Sequence, residues 1–424
     1  MQLNILGRVK VKTKRFSFFC FTRTTQIFKL PTAFSRCMDG DNVAGVQGFF
    51  QNKELNIFYI SVGIMTFAEQ LIALFVPIYL FRLQYPLWMI LFYFFLLSVY
   101  FVVLAYPGAK LVSKMGMKRS ILMSTPFAIL YYIGLLALPQ QQWLFAILPV
   151  FLASKMVLYN YGYHLNFLRH SIPSQRGKEV SFLGSIATIG AVIAPLLGGV
   201  IISLLGFMGL YSVGAVLLVG GAVLLFLTSD VRKNVTFSWK ELVHTLFSSS
   251  ERRNAVSFSG YAVESIISRV VWPLFLITIL LTEKKTGLIV TLSLGVSLLL
   301  YYVIGRITDT YSKPRLIVIG TILHFFAWLG RIFATSTGKI LVVDSYKNVV
   351  EKLLHVPWAT QSYNLARRRG YFRFVVGREI MFNFSRIIVL PFVILLFWWL
   401  SDAFIITFII AAVFSLGYMF LEKK

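Results

Sequence analysis

Four ionisable side chains lie at helical spacing inside one mostly apolar stretch of this chain. They are Asp344, Lys347, Glu351 and His355. Their intervals of three, four and four residues place them on one face of a helix, with opposite charges adjacent. A charged side chain at the centre of a bilayer costs about 2.5–3.5 kcal/mol. The face therefore requires either partners, such as an Asp344–Lys347 pair that holds helices together, or a polar cavity.

Other apolar stretches carry glutamate as well. A carboxylate in a low-dielectric cavity can bind and release a proton near neutral pH, so Glu69, Glu264 and Glu351 are the candidate proton carriers. Glu264 is favoured, because the nearest cation on its own helix, Arg269, lies five positions away and off its face. Glu351 instead has Lys347 one turn before it.

Cationic, amide and imidazole side chains in the same stretches predict a solute cavity. The cations would supply positive charge for an anionic or zwitterionic solute. Each histidine has the alternative role of a hydrogen bond between helices. The residues expected to line the cavity are Lys155, Asn160, His164, Arg269, Asp344, Lys347, Asn348 and His355.

The composition is that of a membrane protein. Of the 424 residues, 58% are hydrophobic and only 13% are charged, and the mean hydropathy is +0.76, which no soluble domain requires. The apolar runs do not alternate with polar residues, so they favour membrane helices over barrel strands. We therefore predict an all-α polytopic membrane protein with twelve transmembrane helices. The predicted spans lie near 55–82, 87–113, 119–138, 143–168, 179–204, 207–228, 255–281, 287–307, 314–334, 340–364, 375–399 and 402–421.

The sequence repeats itself about two hundred residues apart. Residues 109–119 align with 305–315, and residues 163–185 align with 363–385, with basic, acidic and aromatic residues in matching order. In a membrane protein such a duplication predicts two parallel helical halves with a site between them. The predicted division is an amino-terminal arm at 1–50, a six-helix half at 51–228, a loop at 229–254 and a second six-helix half at 255–424.

Positive charge is concentrated at one end of the predicted spans. The net charge is +25, and basic residues follow the even-numbered spans, whereas the loops after the odd-numbered spans are short and poor in net charge. The positive-inside rule therefore predicts cytoplasmic termini and a cytoplasmic loop 229–254, in a plasma or inner cell membrane. Attraction to anionic lipid headgroups accounts for most of these charges, so they do not predict nucleic-acid binding.

The amino-terminal arm is predicted to be a disordered cytoplasmic segment. Residues 1–38 contain no acidic residue, a composition that mitochondrial transit peptides share. A start at Met38 is a further alternative. The two cysteines, Cys20 and Cys37, both lie in this segment, on a reducing side where a disulfide is not expected.

The segment after the second predicted span resembles the signature loop of the major facilitator superfamily, Gly-x-x-x-Asp-Arg-x-Gly-Arg-Arg. Lys114, Gly116 and Lys118 match this pattern, although a serine stands at the acidic position. In the second copy, Gly305 and Asp309 match the first glycine and the acid. The resemblance implies two halves that rock about a midplane site, which is lined by the first, fourth, seventh and tenth helices.

The two signature loops and the cytoplasmic mouth predict a conformational latch. Glycine lets two helix ends approach closely, and an acid at a helix end can pair with a basic residue to hold one state. Glu379 aligns with Glu179 in the repeat and shares a predicted helix with Arg386. The expected latch residues are Lys114, Gly116, Lys118, Gly305, Asp309, Glu179, Glu379 and Arg386.

The fifth predicted span contains small residues at intervals of four. Residues 190–199, with Pro195 in their middle, resemble the Gly-x-x-x-Gly-Pro-x-x-Gly-Gly element of antiporter branches of the same superfamily. The resemblance slightly favours export. Ordinary close packing of a small-residue face is the alternative.

Motifs of enzyme chemistry are absent from the sequence. It has no His/Cys metal spacing, no phosphate-binding glycine loop and no nucleophile elbow. We therefore predict a monomeric secondary active transporter that moves a small solute across the bilayer with proton coupling, without a cofactor, a metal or enzymatic activity. A lipid scramblase or a non-transporting membrane partner with this fold is the alternative, against which the buried charges argue.

Overall fold

Helices make up the described part of the chain, and no strand occurs there. The computed structural model describes residues 53–170, 176–227, 238–242, 248, 251–310, 312–400 and 403–422. At 53–56, 117, 165–170, 176–187 and 301–310 this description covers the backbone alone.

Short connections join most of the helices. They are α1 (Lys53–Ala73), α2 (Phe75–Arg82), α3 (Leu87–Met115), α4 (Met117–Ala137), α5 (Leu144–His170), α6 (Arg176–Phe226), α7 (Arg252–Ile266), a π-helical turn (Ile267–Val271), α8 (Trp272–Leu280), α9 (Glu283–Thr310), α10 (Lys313–Gly330), a 3₁₀ turn (Arg331–Phe333), α11 (Thr337–Arg368), α12 (Tyr371–Trp399), α13 (Phe404–Ser415) and a 3₁₀ turn (Leu416–Phe420).

Eight described segments are long and apolar enough to cross a bilayer. They are Ile57–Arg82, Leu87–Met115, Lys118–Ala137, Leu144–His164, Thr188–Phe226, Arg252–Leu280, Lys313–Phe333 and Tyr371–Trp399. The backbone of α6 breaks at Gly206, where φ is 68° and ψ is −174°, a conformation that glycine adopts without a side-chain clash. Thus α6 consists of two successive helices. α11 is not among these eight segments, because it carries the ionisable side chains Asp344, Lys347, Glu351 and His355.

Two long helix pairs bring the earlier and later parts of the chain together. α3 packs along α12, and α6 packs along α9. The α6–α9 contact is close because glycines face the partner backbone: a Cβ on Gly199 would lie 2.6 Å from the Glu283 carbonyl oxygen, and a Cβ on Gly287 would collide with the Pro195 carbonyl. The small residues of the fifth predicted span are therefore used for close helix packing.

Thr291 of α9 bonds to the backbone of α6 beside Pro195. Its hydroxyl donates to the Val192 carbonyl oxygen at 2.7 Å and accepts from the Leu196 amide at 3.1 Å. Those two backbone groups would bond each other in a straight helix. The Thr291 hydroxyl is thus inserted beside Pro195 and satisfies both groups.

Two glycine-to-alanine changes on α9 are expected to have opposite effects. Gly287→Ala places a methyl group against the α6 backbone, whereas a Cβ on Gly295 meets nothing within 4 Å. Alanine is otherwise favoured over glycine in a helix by about 1 kcal/mol. Gly295→Ala should therefore keep or raise the unfolding midpoint of the purified protein in detergent, and Gly287→Ala should lower it. Equal midpoints would contradict the close α6–α9 contact.

Candidate functional site

A cavity of about 290 Å³ lies between α7, the π-helical turn, α9 and α11. Its volume is at the small end of the range for ligand pockets. Its wall is unusually rich in ionisable side chains for a region surrounded by apolar helices. Among the lining residues are Glu264, Arg269, Trp272, Arg331, Asp344, Lys347, Glu351 and His355.

The π-helical turn Ile267–Val271 interrupts the helix between α7 and α8. Such turns are rare and frequently occur at functional sites. Here the turn brings Ser268 and Arg269 to the cavity wall. Among the described residues, no carboxylate forms an ion pair with Arg269.

The carboxylate of Glu264 is the centre of a buried polar cluster. Its Oε1 accepts a hydrogen bond from Trp328 Nε1 at 3.2 Å and lies 3.4 Å from His324 Nε2. Its Oε2 accepts from the Tyr418 hydroxyl at 3.1 Å, and Lys347 Nζ lies 3.6 Å from Oε1. Glu264 makes no described ion pair on its own helix, but α10 and α11 bring it His324 and Lys347, which spacing along one helix does not show.

A single lysine lies between two carboxylates in this cluster. Lys347 Nζ is 2.5 Å from Glu351 Oε2 and 3.6 Å from Glu264 Oε1, and it also donates to Ser268 Oγ at 3.1 Å. His355 Nδ1 lies 3.6 Å from Glu351 Oε1. The two carboxylates therefore share one ammonium group at this point of the cavity wall.

Arg331 and Asp344 form a second buried ion pair. Arg331 Nη2 lies 2.7 Å from Asp344 Oδ1, and both side chains are almost fully buried. The Arg331 guanidinium also lies against the rings of Trp272 and Trp328, at 3.8 Å and 4.3 Å from their centroids. Asp344 therefore pairs with Arg331 and not with Lys347, because Arg331 reaches it from the adjacent end of α10.

The predicted residues on α1 and α5 do not line this cavity. Glu69 and Lys155 form an ion pair with each other, which leaves neither charge free. Asn160 and His164 also lie outside the lining. The structure therefore gathers the predicted residues of the seventh and tenth spans, together with Leu74 near the end of the first, and leaves those of the first and fourth spans apart.

The described latch residues make contacts other than the expected acid–base pairs. Gly116 separates α3 from α4 with φ at 92°, and Lys118 Nζ donates to the Phe226 carbonyl oxygen at the end of α6 at 2.9 Å. Lys114 is exposed. Lysine at a helix carboxyl end satisfies carbonyl groups that have no helical partner.

The remaining latch residues lie on α12 or outside the described side chains. Glu379 pairs with Arg378 at 3.0 Å. Arg386 donates to Ser265 Oγ at 3.1 Å and to the Ala262 carbonyl at 3.2 Å, so it joins α12 to α7 and does not pair with Glu379. The side chains of Glu179 and Asp309 and the surroundings of Gly305 lie outside the described part of the chain.

The sequence pattern does not indicate four residues of this site, Arg331, His324, Trp328 and Tyr418. Arg331 lies at the end of a span, where a cation is ordinarily solvated. The other three are single neutral or aromatic residues in apolar helices, and nothing in their spacing indicates a shared partner. Among the described residues, no group of three or more His, Cys, Asp or Glu side chains could hold a metal ion.

Solved transporter structures share this fold. A POT family transporter in complex with 5-aminolevulinic acid matches with a TM-score of 0.67 and 14% identity, over 85% of this chain and 94% of that one; a second POT family complex, with a thioalcohol conjugated peptide, gives the same values. A D-xylose-proton symporter matches with a TM-score of 0.66 and 12% identity, over 88% of this chain and 99% of that one. No protein-family model matches the chain, and no curated protein matches it by sequence.

Proposed function

We propose that this chain, which has the major facilitator fold, is a secondary active transporter that carries a small solute together with protons. The observation that carries the proposal is the pair of carboxylates, Glu264 and Glu351, that share Lys347 on the wall of a solute-sized cavity. Buried ionisable groups are costly in a membrane protein and commonly mark ion or substrate pathways.

The sharing of Lys347 suggests how a proton is bound and released. When the ammonium approaches one carboxylate, the other loses its counter-charge and its affinity for a proton rises. A rearrangement of α7 against α11 would change which carboxylate is paired. Proton binding would thereby be linked to the alternation of access from one side of the membrane to the other.

The proposal includes twelve membrane helices in two halves. The eight candidate spans, with α6 counted as two at Gly206, together with α9, α11 and Phe404–Phe420, supply twelve segments. The sequence duplication relates α3 to α9 and α6 to α12. The same relation converts the packed pair α3–α12 into the packed pair α9–α6. A two-fold relation between the halves requires this correspondence.

The predicted topology can be tested with single cysteines. Because Cys20 and Cys37 are the only cysteines, replacing both with serine gives a cysteine-free background. Cysteine at exposed Gln141 should react with an impermeant maleimide from outside intact cells, and cysteine at exposed Ser312 should react only after the cells are opened. Labelling of both positions from the same side would contradict the arrangement.

Transport is tested most directly in proteoliposomes. Uptake of a panel of sugars, amino acids and cationic dyes should be measured with and without a pH gradient, beside protein-free vesicles. We expect at least one solute class to accumulate only when the gradient is imposed.

The direction of transport is a separate question. The small-residue element of α6 is accounted for by packing, so it gives no preference for export. Both directions of the pH gradient should therefore be applied.

A lipid scramblase or a non-transporting membrane partner is the competing proposal. Neither role requires buried carboxylates and cations around a cavity, and their retention would lower stability without a function. Transfer of a fluorescent phospholipid between leaflets, without uptake of any solute in the panel, would favour the scramblase.

A further inference from the structure

We infer that the solute bears a carboxylate group, which binds at Arg269, Arg331 and Trp272 on one side of the cavity. The inference rests on the proposed function for its physiological role, because it names the solute that the transporter would carry. The sequence indicates Lys155, Arg269 and Lys347 as sources of positive charge. The structure distinguishes among these three and adds a residue that the sequence did not indicate.

Two of the three candidate cations already have carboxylate partners. Lys155 pairs with Glu69 away from the cavity, and Lys347 serves Glu351 and Glu264 together. A cation that is matched by protein carboxylates attracts a solute anion weakly, because the local field is already cancelled. These two lysines are therefore poor anchors for an anion.

Arg269 is different because it lines the cavity without a carboxylate partner in the described part of the chain. A second guanidinium, that of Arg386, lies behind the same wall and donates to Ser265, a lining residue, at 3.1 Å. Its described polar contacts are the Ser265 hydroxyl, the Asn383 amide oxygen and the Ala262 carbonyl, all of them uncharged. This side of the cavity therefore carries two guanidinium groups that form no ion pair with a described carboxylate.

The unpaired polar atoms of the cavity wall are also of one kind. Arg331 Nε, Arg331 Nη1 and Trp272 Nε1 are buried nitrogen atoms without a hydrogen-bond partner among the described residues, and both residues line the cavity. All three are N–H donors. The two side chains adjoin, since the guanidinium of Arg331 lies 3.8 Å from the centroid of the Trp272 ring.

Buried donors without acceptors are costly unless a ligand supplies the acceptors. A carboxylate is acceptor-only and can take two parallel N–H bonds from a guanidinium, so it fits both the positive charge and the unpaired donors. The cavity of about 290 Å³ limits the whole solute to a small molecule. A solute carboxylate at Arg269 adds a negative charge to the cavity, and a proton on the Glu264–Glu351 pair adds a positive one. Binding of either one therefore favours binding of the other.

The test is the binding of matched pairs of small molecules that differ only in carboxylate or amide. Butyrate is compared with butyramide, and 4-aminobutyrate with 4-aminobutyramide, by the concentration dependence of the unfolding temperature of the detergent-purified chain. We expect each carboxylate to bind at least tenfold more tightly than its amide. The difference should fall below twofold in Arg269→Gln.

Control variants separate this site from nonspecific charge effects. Lys285→Gln removes an exposed positive charge and should keep the preference for carboxylates. Arg269→Lys retains the charge without the planar fork, so it should bind carboxylates with intermediate affinity and provides a test even if Arg269→Gln does not fold.

Equal binding of carboxylates and amides, or a preference that survives in Arg269→Gln, would overturn the inference while leaving proton-coupled transport of another solute possible. Selective carboxylate binding without any gradient-driven uptake would support the site and contradict the proposed function.

Discussion

Glu264→Gln is expected to abolish the accumulation of solute driven by a pH gradient, while exchange of internal for external solute continues. Glutamine keeps the size of the side chain. Its amide oxygen can accept from Trp328 Nε1 and its amide nitrogen can donate to the Tyr418 hydroxyl, but it cannot bind and release a proton. Accumulation should fall by at least tenfold, to the level reached without a gradient, whereas exchange should stay within about threefold of the wild type.

The matched control for this change is Glu241→Gln. Glu241 is an exposed glutamate that lies 3.7 Å from Arg373, and exposed pairs of this kind contribute little. It should leave both assays unchanged. If the Glu264→Gln protein accumulates as much solute as the control protein, Glu264 does not couple protons to transport. The same two assays on Glu351→Gln then test the other carboxylate that shares Lys347.

Asp344→Asn is expected to destabilise the protein strongly. The change leaves the guanidinium of Arg331, which is 1% exposed, without its carboxylate partner at 2.7 Å. Breaking a buried ion pair from one side typically costs about 3–5 kcal/mol, because an uncompensated charge remains inside. The unfolding midpoint in detergent should therefore fall markedly, or folded protein should be lost.

The double change Arg331→Met with Asp344→Leu distinguishes this cause from general disruption. It removes both charges and keeps apolar volume against Trp272 and Trp328, so it should recover most of the stability lost in Asp344→Asn. An Asp344→Asn protein as stable as the wild type, or a double variant less stable than the single one, would contradict this interpretation of the pair.

Local patterns in the sequence predict the fold. Continuous apolar runs predict membrane helices, and the two degenerate signature loops indicate the major facilitator fold, which the solved structures confirm. The 3.6-residue period of α11 also groups Asp344, Lys347, Glu351 and His355 on one face, and all four line the cavity. Spacing along one helix is sufficient for these predictions because the helix itself fixes the geometry.

The partners of these residues are not predictable in the same way. Glu264 and Tyr418 are 154 positions apart, and only the packing of α7 against the end of the chain brings them together. Arg331 reaches Asp344 across a turn between helices and takes the place of Lys347, the partner that the helical spacing allows. The π-helical turn that positions Arg269 has no signal in the hydrophobic period. Pairing within a buried polar cluster depends on tertiary contacts, which sequence spacing does not contain.

The central claim is that protons and solute move together through this chain. It is tested most directly by adding solute to proteoliposomes loaded with a pH-sensitive dye, with no imposed gradient and with protein-free vesicles to correct for passive permeation. The solute is the one that accumulates most in the uptake panel. The account predicts acidification of the vesicle interior as solute enters, and none with the double variant Glu264→Gln, Glu351→Gln. Solute uptake by the wild type without any change in internal pH would contradict it.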